Sequence, residues 1–318
     1  MKTQNTKKWI KAGIIAGLMI TTSVFTGCKD DDEVAPLNTI TQLVVDNPNF
    51  SFLEAAVVKA NLAGSLSGAG PFTVFAPTND AFIAAGFPNE AAVSAASAEV
   101  LTNILTYHVL PNNTVSSAIP TAANTSVTTL NGANAFVTKN SAGVFINGAQ
   151  VIQADITASN GTIHVINAVL TPPSGNIVET ASDNSNLSYL VAAVVRASEG
   201  TTNVAQVLSG TGPFTVFAPT NDAFIAAGFP TIASIQAADP NTLAGILTYH
   251  VIASRVLSSD LTEGATPATV NGGTVRISLS GGAKVTGNGN GSTASNITAA
   301  NIITTNGVVH VIDRVLLP

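Results

Sequence analysis

Charge is scarce in this 318-residue sequence: Asp, Glu, Lys and Arg together make up only 9% of it, against about a quarter in ordinary soluble domains. A surface with so few ions is made polar by Ser, Thr, Asn and Gly. Such a surface suits hydrogen-bonded contact with proteins or sugars, and equally a plain soluble β-rich domain. The hydrophobic content of 46% excludes a disordered or polyelectrolyte chain. Twelve basic residues face 18 acidic ones, and four of the twelve (Lys2, Lys7, Lys8, Lys11) stand near the N-terminus. Without them the charge moves from −6 to −10. No basic patch remains to neutralise phosphates, which disfavours nucleic acid as a partner. The one Trp, Trp9, also lies in that N-terminal stretch, so the rest lacks the side chain best suited to stacking on sugars or cations. The single cysteine, Cys28, excludes an internal disulfide.

Catalytic and metal-binding signatures are equally thin. No G-x-S-x-G elbow occurs, and the run Gly287-Asn288-Gly289-Asn290-Gly291 lacks the Lys-Ser/Thr of a phosphate loop, so it reads as a flexible loop. The four histidines, His108, His164, His250 and His310, form no H-x-x-H pair and have no cysteine or clustered carboxylate beside them. His108 falls on the apolar face of Leu101, Ile104 and Leu105, and His250 on that of Leu243, Ile246 and Leu247. A hydrogen-bonded core histidine is the expectation at both positions. Asp80 and Asp222 each sit in the first turn of a helix, where the dipole accounts for an acid, and no second carboxylate accompanies them for acid–base work. The expectation is therefore no catalytic residue, no metal site and no cofactor.

The first 27 residues read as an export signal: Lys7, Lys8 and Lys11, then a mostly apolar run from Ala12 to Phe25, too short to span a bilayer. It ends in Phe25-Thr26-Gly27-Cys28, similar to a bacterial lipobox, with Cys28 as the lipidated residue. The acidic run Lys29-Asp30-Asp31-Asp32-Glu33 makes residues 28–36 a tether and resembles the surface-export signal of Bacteroidetes lipoproteins. The expectation is an outer-membrane lipoprotein on the cell surface, with a periplasm-facing location as the alternative.

What the chain has in abundance is self-similarity. Pro71 to Pro88 reads PFTVFAPTNDAFIAAGFP, and Pro213 to Pro230 repeats it letter for letter. Two copies of one unit follow in tandem, 37–172 and 176–318, joined by a linker at 173–175. Each opens with a helical pattern, Leu53, Ala56, Val57, Ala60 and then Leu190, Ala193, Val194, Ala197. In the identical block a β-prone run ends at Pro77. Thr78-Asn79-Asp80 then starts a helix that would bury Phe82 and Ile83, and Gly86 stops it. Phe50, Phe52 and Phe87 read as packing residues. Tyr107-His108 and Tyr249-His250 end a second helix, and short strands follow, including Asn134 to Lys139, Gly143 to Ile146, Thr274 to Leu279 and Lys284-Val285. Each unit closes on an Asn-Gly turn and a strand: Asn160-Gly161 before Thr162 to Ile166, and Asn306-Gly307 before Val308 to Ile312. Helices followed by many antiparallel strands give an α+β class.

TVFAPTNDAF, the Tyr-His pair and the closing NGTIHVINAVL or NGVVHVIDRVLLP appear in order, twice. In these segments the chain resembles the fasciclin (FAS1) domain family. Asn167 stands where the family more often has an acid, as Asp313 does in the second copy. The resemblance implies two wedges or sandwiches of antiparallel β-strands, each packed with several α-helices. It also implies an extracellular role in adhesion to proteins or glycans of the matrix or of neighbouring cells. Tyr107, His108, Tyr249 and His250 are carried over as candidate interaction positions. An envelope spacer without a ligand is the alternative. A surface polysaccharide hydrolase is a weaker one, because it needs paired carboxylates or a nucleophile triad.

Overall fold

The identical block folds identically in both halves because each of its residues has a structural task. In the computed structural model, which describes residues 36–318, the block opens with strand β1, Phe72–Pro77, and in the second half with β8, Phe214–Pro219. The leader, Cys28 and the tether up to residue 35 lie outside the described residues. The Thr78 hydroxyl caps the helix Asn79–Ala84 by accepting from Ala81 N at 3.2 Å, as Thr220 does for Ala223 N. Asn79 accepts from Phe52 N at 3.1 Å and donates to Pro48 O at 3.0 Å, which fastens this helix to the start of the helix Ser51–Lys59. Asn221 repeats the contact with Tyr189 N and Ser185 O. Gly86 and Gly228 end the helices at φ of +94° and +96°, conformations that cost glycine little. Phe82 is buried, as expected, but Ile83 is 50% exposed. A six-residue helix has one inner face, and Ala81 and Phe82 occupy it.

The remaining strands are β2 (Val109–Leu110), β3 (Thr125–Thr128), β4 (Asn134–Asn140), β5 (Gly143–Ile146), β6 (Ala149–Ala158) and β7 (Gly161–Ile166) in the first half. The second half has β9 (Val251–Ile252), β10 (Val275–Ser278), β11 (Lys284–Gly287), β12 (Ser295–Thr304) and β13 (Gly307–Ile312). The sheet orders are β2-β1-β7-β6-β5-β4-β3 and β10-β11-β12-β13-β8-β9. In one respect the sheets depart from the antiparallel expectation: β1 runs parallel to β7, with Phe72 opposite Gly161, and β8 runs parallel to β13. The chain between the paired strands passes through helices and the other strands, the kind of long crossover that parallel pairing requires.

Each sheet separates two cores. On the helical side Leu53, Ala56, Val57, Phe82, Leu101 and Leu105 pack on Val74 and Ile163, and the second half is built the same way. On the other side the curled strands close over Phe75, Tyr107, Val137, Ile146 and Ile166, or over Phe217, Tyr249, Ile277, Val285 and Ile312. Phe50 is buried, and Phe52 and Phe87 lie 6.3 and 6.1 Å from the Phe82 ring, so all three pack. The Gly287–Gly291 segment is held against the C-terminal residues, contrary to the flexible-loop reading: Asn290 bonds Val315 O and Leu317 N, and Gly289 N bonds Leu317 O. Those bonds use asparagine amides and backbone groups, which composition alone counts as loop-forming.

The two halves pack against each other. Phe136 from β4 joins Leu257, Ile303 and Val308 of the second half in one buried cluster, and the Arg255 guanidinium lies 3.6 Å from the centre of its ring. Asp260 receives Asn124 Nδ2 at 2.9 Å and Thr138 Oγ1 at 2.8 Å, both from the first half, while Asn140 Nδ2 reaches Ser259 O at 2.9 Å. Hydrogen bonds to a carboxylate are worth about 1.5–3 kcal/mol each, so Asp260 is the principal polar tie between the halves. Asp260→Ala is expected to remove about 2–4 kcal/mol of coupling. Scanning calorimetry should then resolve two transitions where the parent chain gives one; a single unshifted transition in the variant would refute this role.

Candidate functional site

The Tyr-His pairs end the helices Ala98–Tyr107 and Pro240–Tyr249, and successive residues at a helix end point in different directions. Tyr107 therefore enters the strand-side core while His108 faces the helical one. The Tyr107 hydroxyl donates to Asn134 O at 2.9 Å and accepts from Asn147 Nδ2 at 2.9 Å. Burial, the largest influence, pushes its pKa up to about 12. Tyr249 is placed alike, donating to Thr274 O at 2.5 Å and accepting from Asn288 N at 2.9 Å.

His108 Nδ1 meets Ile104 O at 2.8 Å and its Nε2 accepts from Leu170 N at 2.9 Å. His250 makes the same two contacts, to Ile246 O and from Leu316 N, both at 2.8 Å. A backbone N–H aimed at Nε2 fixes the neutral tautomer with its proton on Nδ1. Burial drives both imidazoles down to about 4 from 6.5. His164 and His310 hold the opposite tautomer: Nε2 meets Thr114 O or Val256 O, and Nδ1 accepts from Asp155 N or Asn301 N. All eight ring nitrogens are thus taken up by backbone groups, and among the described residues no cluster of three metal-ligating side chains occurs. Tyr107, His108, Tyr249 and His250 are each no more than 2% exposed. They reach the surface only through the loops they hold.

Asn160 and Asn306 carry as much of the geometry, and composition did not single them out as more than turn residues. Asn160 Oδ1 accepts from Ile40 N at 3.0 Å, and its Nδ2 donates to Leu66 O and Gly68 O, both at 2.8 Å. Asn306 repeats this with Ile177 N, Leu208 O and Gly210 O. The signal in the sequence was the recurrence of Asn-Gly at the same place in both copies. Asn167 and Asp313 also correspond: each accepts from a backbone N–H, that of Gln150 or Asn296, at 2.8 Å. The amide at position 167 therefore keeps the acceptor role of the acid.

The helix–strand–helix block, the buried Tyr-His pair and the Asn-Gly knot thus recur twice in one order. The model for the Fasciclin domain matches residues 48–172 and 186–318. The chain belongs to the fasciclin domain family. Both halves are fasciclin domains, each a curled sheet with several helices. Transforming growth factor-beta-induced protein ig-h3 of Sus scrofa is 29% identical over 267 residues, covering 81% of this chain and 36% of that protein. Periostin of Homo sapiens is 29% identical over 266 residues, 81% of this chain and 30% of its own length. Protein sll1483 of Synechocystis sp. is 43% identical over 137 residues, 42% of this chain and 74% of its own. The chain thus spans about a third of ig-h3 and of periostin. A solved fasciclin domain pair from the insect cell adhesion molecule Fasciclin I is similar at 18% identity with a TM-score of 0.41, covering 87% of this chain and 96% of that one. Among the described residues no helix is long and apolar enough to cross a membrane.

Proposed function

We propose that the chain is a lipid-anchored surface protein that adheres to protein or glycan of the extracellular matrix or of neighbouring cells, by binding rather than catalysis. The observation that carries this reading is the tandem of two fasciclin domains with a charge-poor, amide- and hydroxyl-rich surface. Surfaces of that kind bind through many neutral hydrogen bonds, each weak. Two linked domains offset the weakness, because the second contact becomes local once the first has formed and avidity rises by about two to four orders of magnitude. In this reading Tyr107, His108, Tyr249 and His250 act indirectly, fixing the segments at Asn134, Leu170, Thr274 and Leu316 to which they bond.

The test is binding of the purified chain to immobilised matrix proteins and glycans. Saturable binding to at least one surface supports adhesion; background binding by a chain shown to be folded supports the spacer. The anchor is tested separately. Cys28→Ala is expected to move the protein from the membrane pellet to the soluble fraction, and unchanged pelleting would reject lipidation at Cys28.

A further inference from the structure

Where the two domains meet, a cleft of about 570 Å³ opens beside the linker. Its walls are the Asn147-Gly148 turn, the segment Asn167 to Ser174 that leaves the first domain, Thr180 from the helix Ile177–Ser182, and Ala300 to Ile303 of β12. That volume lies within the roughly 300–1,000 Å³ of small-molecule sites, which favour domain interfaces. We infer that this cleft binds a short neutral oligosaccharide, one per chain. The inference rests on the adhesion reading above and gives it a ligand class and a place.

The lining carries the argument. No Asp, Glu, Lys or Arg lines the cleft, so a phosphate, a sulfated or uronic sugar, or a metal ion finds no counter-charge there. Amides, hydroxyls and backbone groups alternate with aliphatic surface from Val169, Pro172 and Ile302. A sugar ring presents the matching pattern, hydroxyls at its rim and C–H groups on its faces. Two polar groups await a partner. The Thr180 hydroxyl lies in the wall with no hydrogen bond and almost no accessible surface, so it meets a ligand once its side chain turns about χ1. Asn167 spends its Oδ1 on Gln150 N, which leaves its NH₂ to donate.

The cleft is also preformed. Asn147 is pinned by Phe136 N and Tyr107 Oη, and Asn301 by the backbone and side chain of Ser258. Gly148, at φ +80°, lets the two domains close at its floor, since a Cβ there would run into the Asn301 side chain. A rigid site spends little binding energy on ordering its walls.

The experiment titrates the full chain, in detergent, with cellotriose, xylotriose, mannotriose and chitotriose, and with a heparin-derived trisaccharide as the charged control. Calorimetry and saturation-transfer NMR provide the readouts. At least one neutral trisaccharide is expected to bind at one per chain, with the charged control weaker by tenfold or more. Ala300→Trp puts a ring in the mouth from an exposed position and should weaken binding at least tenfold. Thr180→Val removes the unpaired hydroxyl and should weaken it at least threefold, with the melting temperature of both variants no lower than the parent's. No binding across the panel, two sites per chain, or full binding by folded Ala300→Trp would each overturn the inference. Adhesion that persists in Ala300→Trp without saccharide binding removes the cleft and leaves the adhesion reading standing. Loss of adhesion by the parent chain removes that reading itself.

Discussion

Asn306→Ala lowers the stability of the second domain by about 3–5 kcal/mol, the largest single-residue effect expected outside the cores. The side chain is 7% exposed and serves three backbone groups: Ile177 N, Leu208 O and Gly210 O. Alanine leaves all three without their partner, and each buried orphan costs about 1–3 kcal/mol. Asn160→Ala strands the equivalent groups Ile40 N, Leu66 O and Gly68 O. Asn160 is only half-buried, so water replaces part of what is lost and the effect is smaller, about 2–3 kcal/mol. Asn306→Asp is a sharper test, because it keeps the shape but turns a carboxylate oxygen towards two carbonyls. It should destabilise at least as much as alanine. Urea unfolding of the three variants decides the matter; an Asn306→Asp chain as stable as the parent would show that the knot is not what joins the helical layer to the sheet.

The second large effect is acid lability between pH 6.5 and 4. His108 and His250 are neutral in the fold, with burial lowering both to about 4, and return to about 6.5 when the chain unfolds. Between those values the unfolded chain binds more protons than the folded one, so stability falls as pH falls. The contribution is complete above pH 6.5 and spent near pH 4, about 3 kcal/mol for each of these two histidines, and burial lowers His310 as well, which adds to the slope of the second domain. Asp155, held below the usual carboxylate range chiefly by the Ser116 hydroxyl, releases its share only at lower pH, so the two phases separate. A chain with Gln at positions 108 and 250 should be less stable at pH 7 yet show a flatter slope from pH 6.5 to 4. Equal slopes in parent and variant would place the acid response elsewhere.

The parts of this fold legible in the sequence are those set by local chemistry. Thr78 before Asn79-Asp80 announces a capped helix, Gly86 announces its end, and apolar residues three and four apart announce Ser51–Lys59 and Ser188–Ala197. The histidines were legible as core residues because they share faces with Leu101 and Leu105, or Leu243 and Leu247. Contacts between distant segments were not legible. Nothing near Phe72 or Gly161 says that their strands run parallel, and nothing near Phe136 or Asp260 says that they join two domains. Those interface residues lie outside the identical block, at positions where the two copies differ, so internal comparison passes over them. The interdomain cleft, assembled from a turn, a linker, a helix and a strand, is invisible for the same reason. Ile83 shows the converse limit: an apolar residue in a short helix carries no local mark of which face it will occupy.

Retention of cells under flow is the sharpest test of adhesion by an anchored pair of fasciclin domains. Cells bearing the chain, cells bearing Cys28→Ala and cells lacking the chain would be passed over a surface that binds the purified protein. The first are expected to be retained and the other two to be washed away. Equal retention of all three would show that the anchored chain does not adhere.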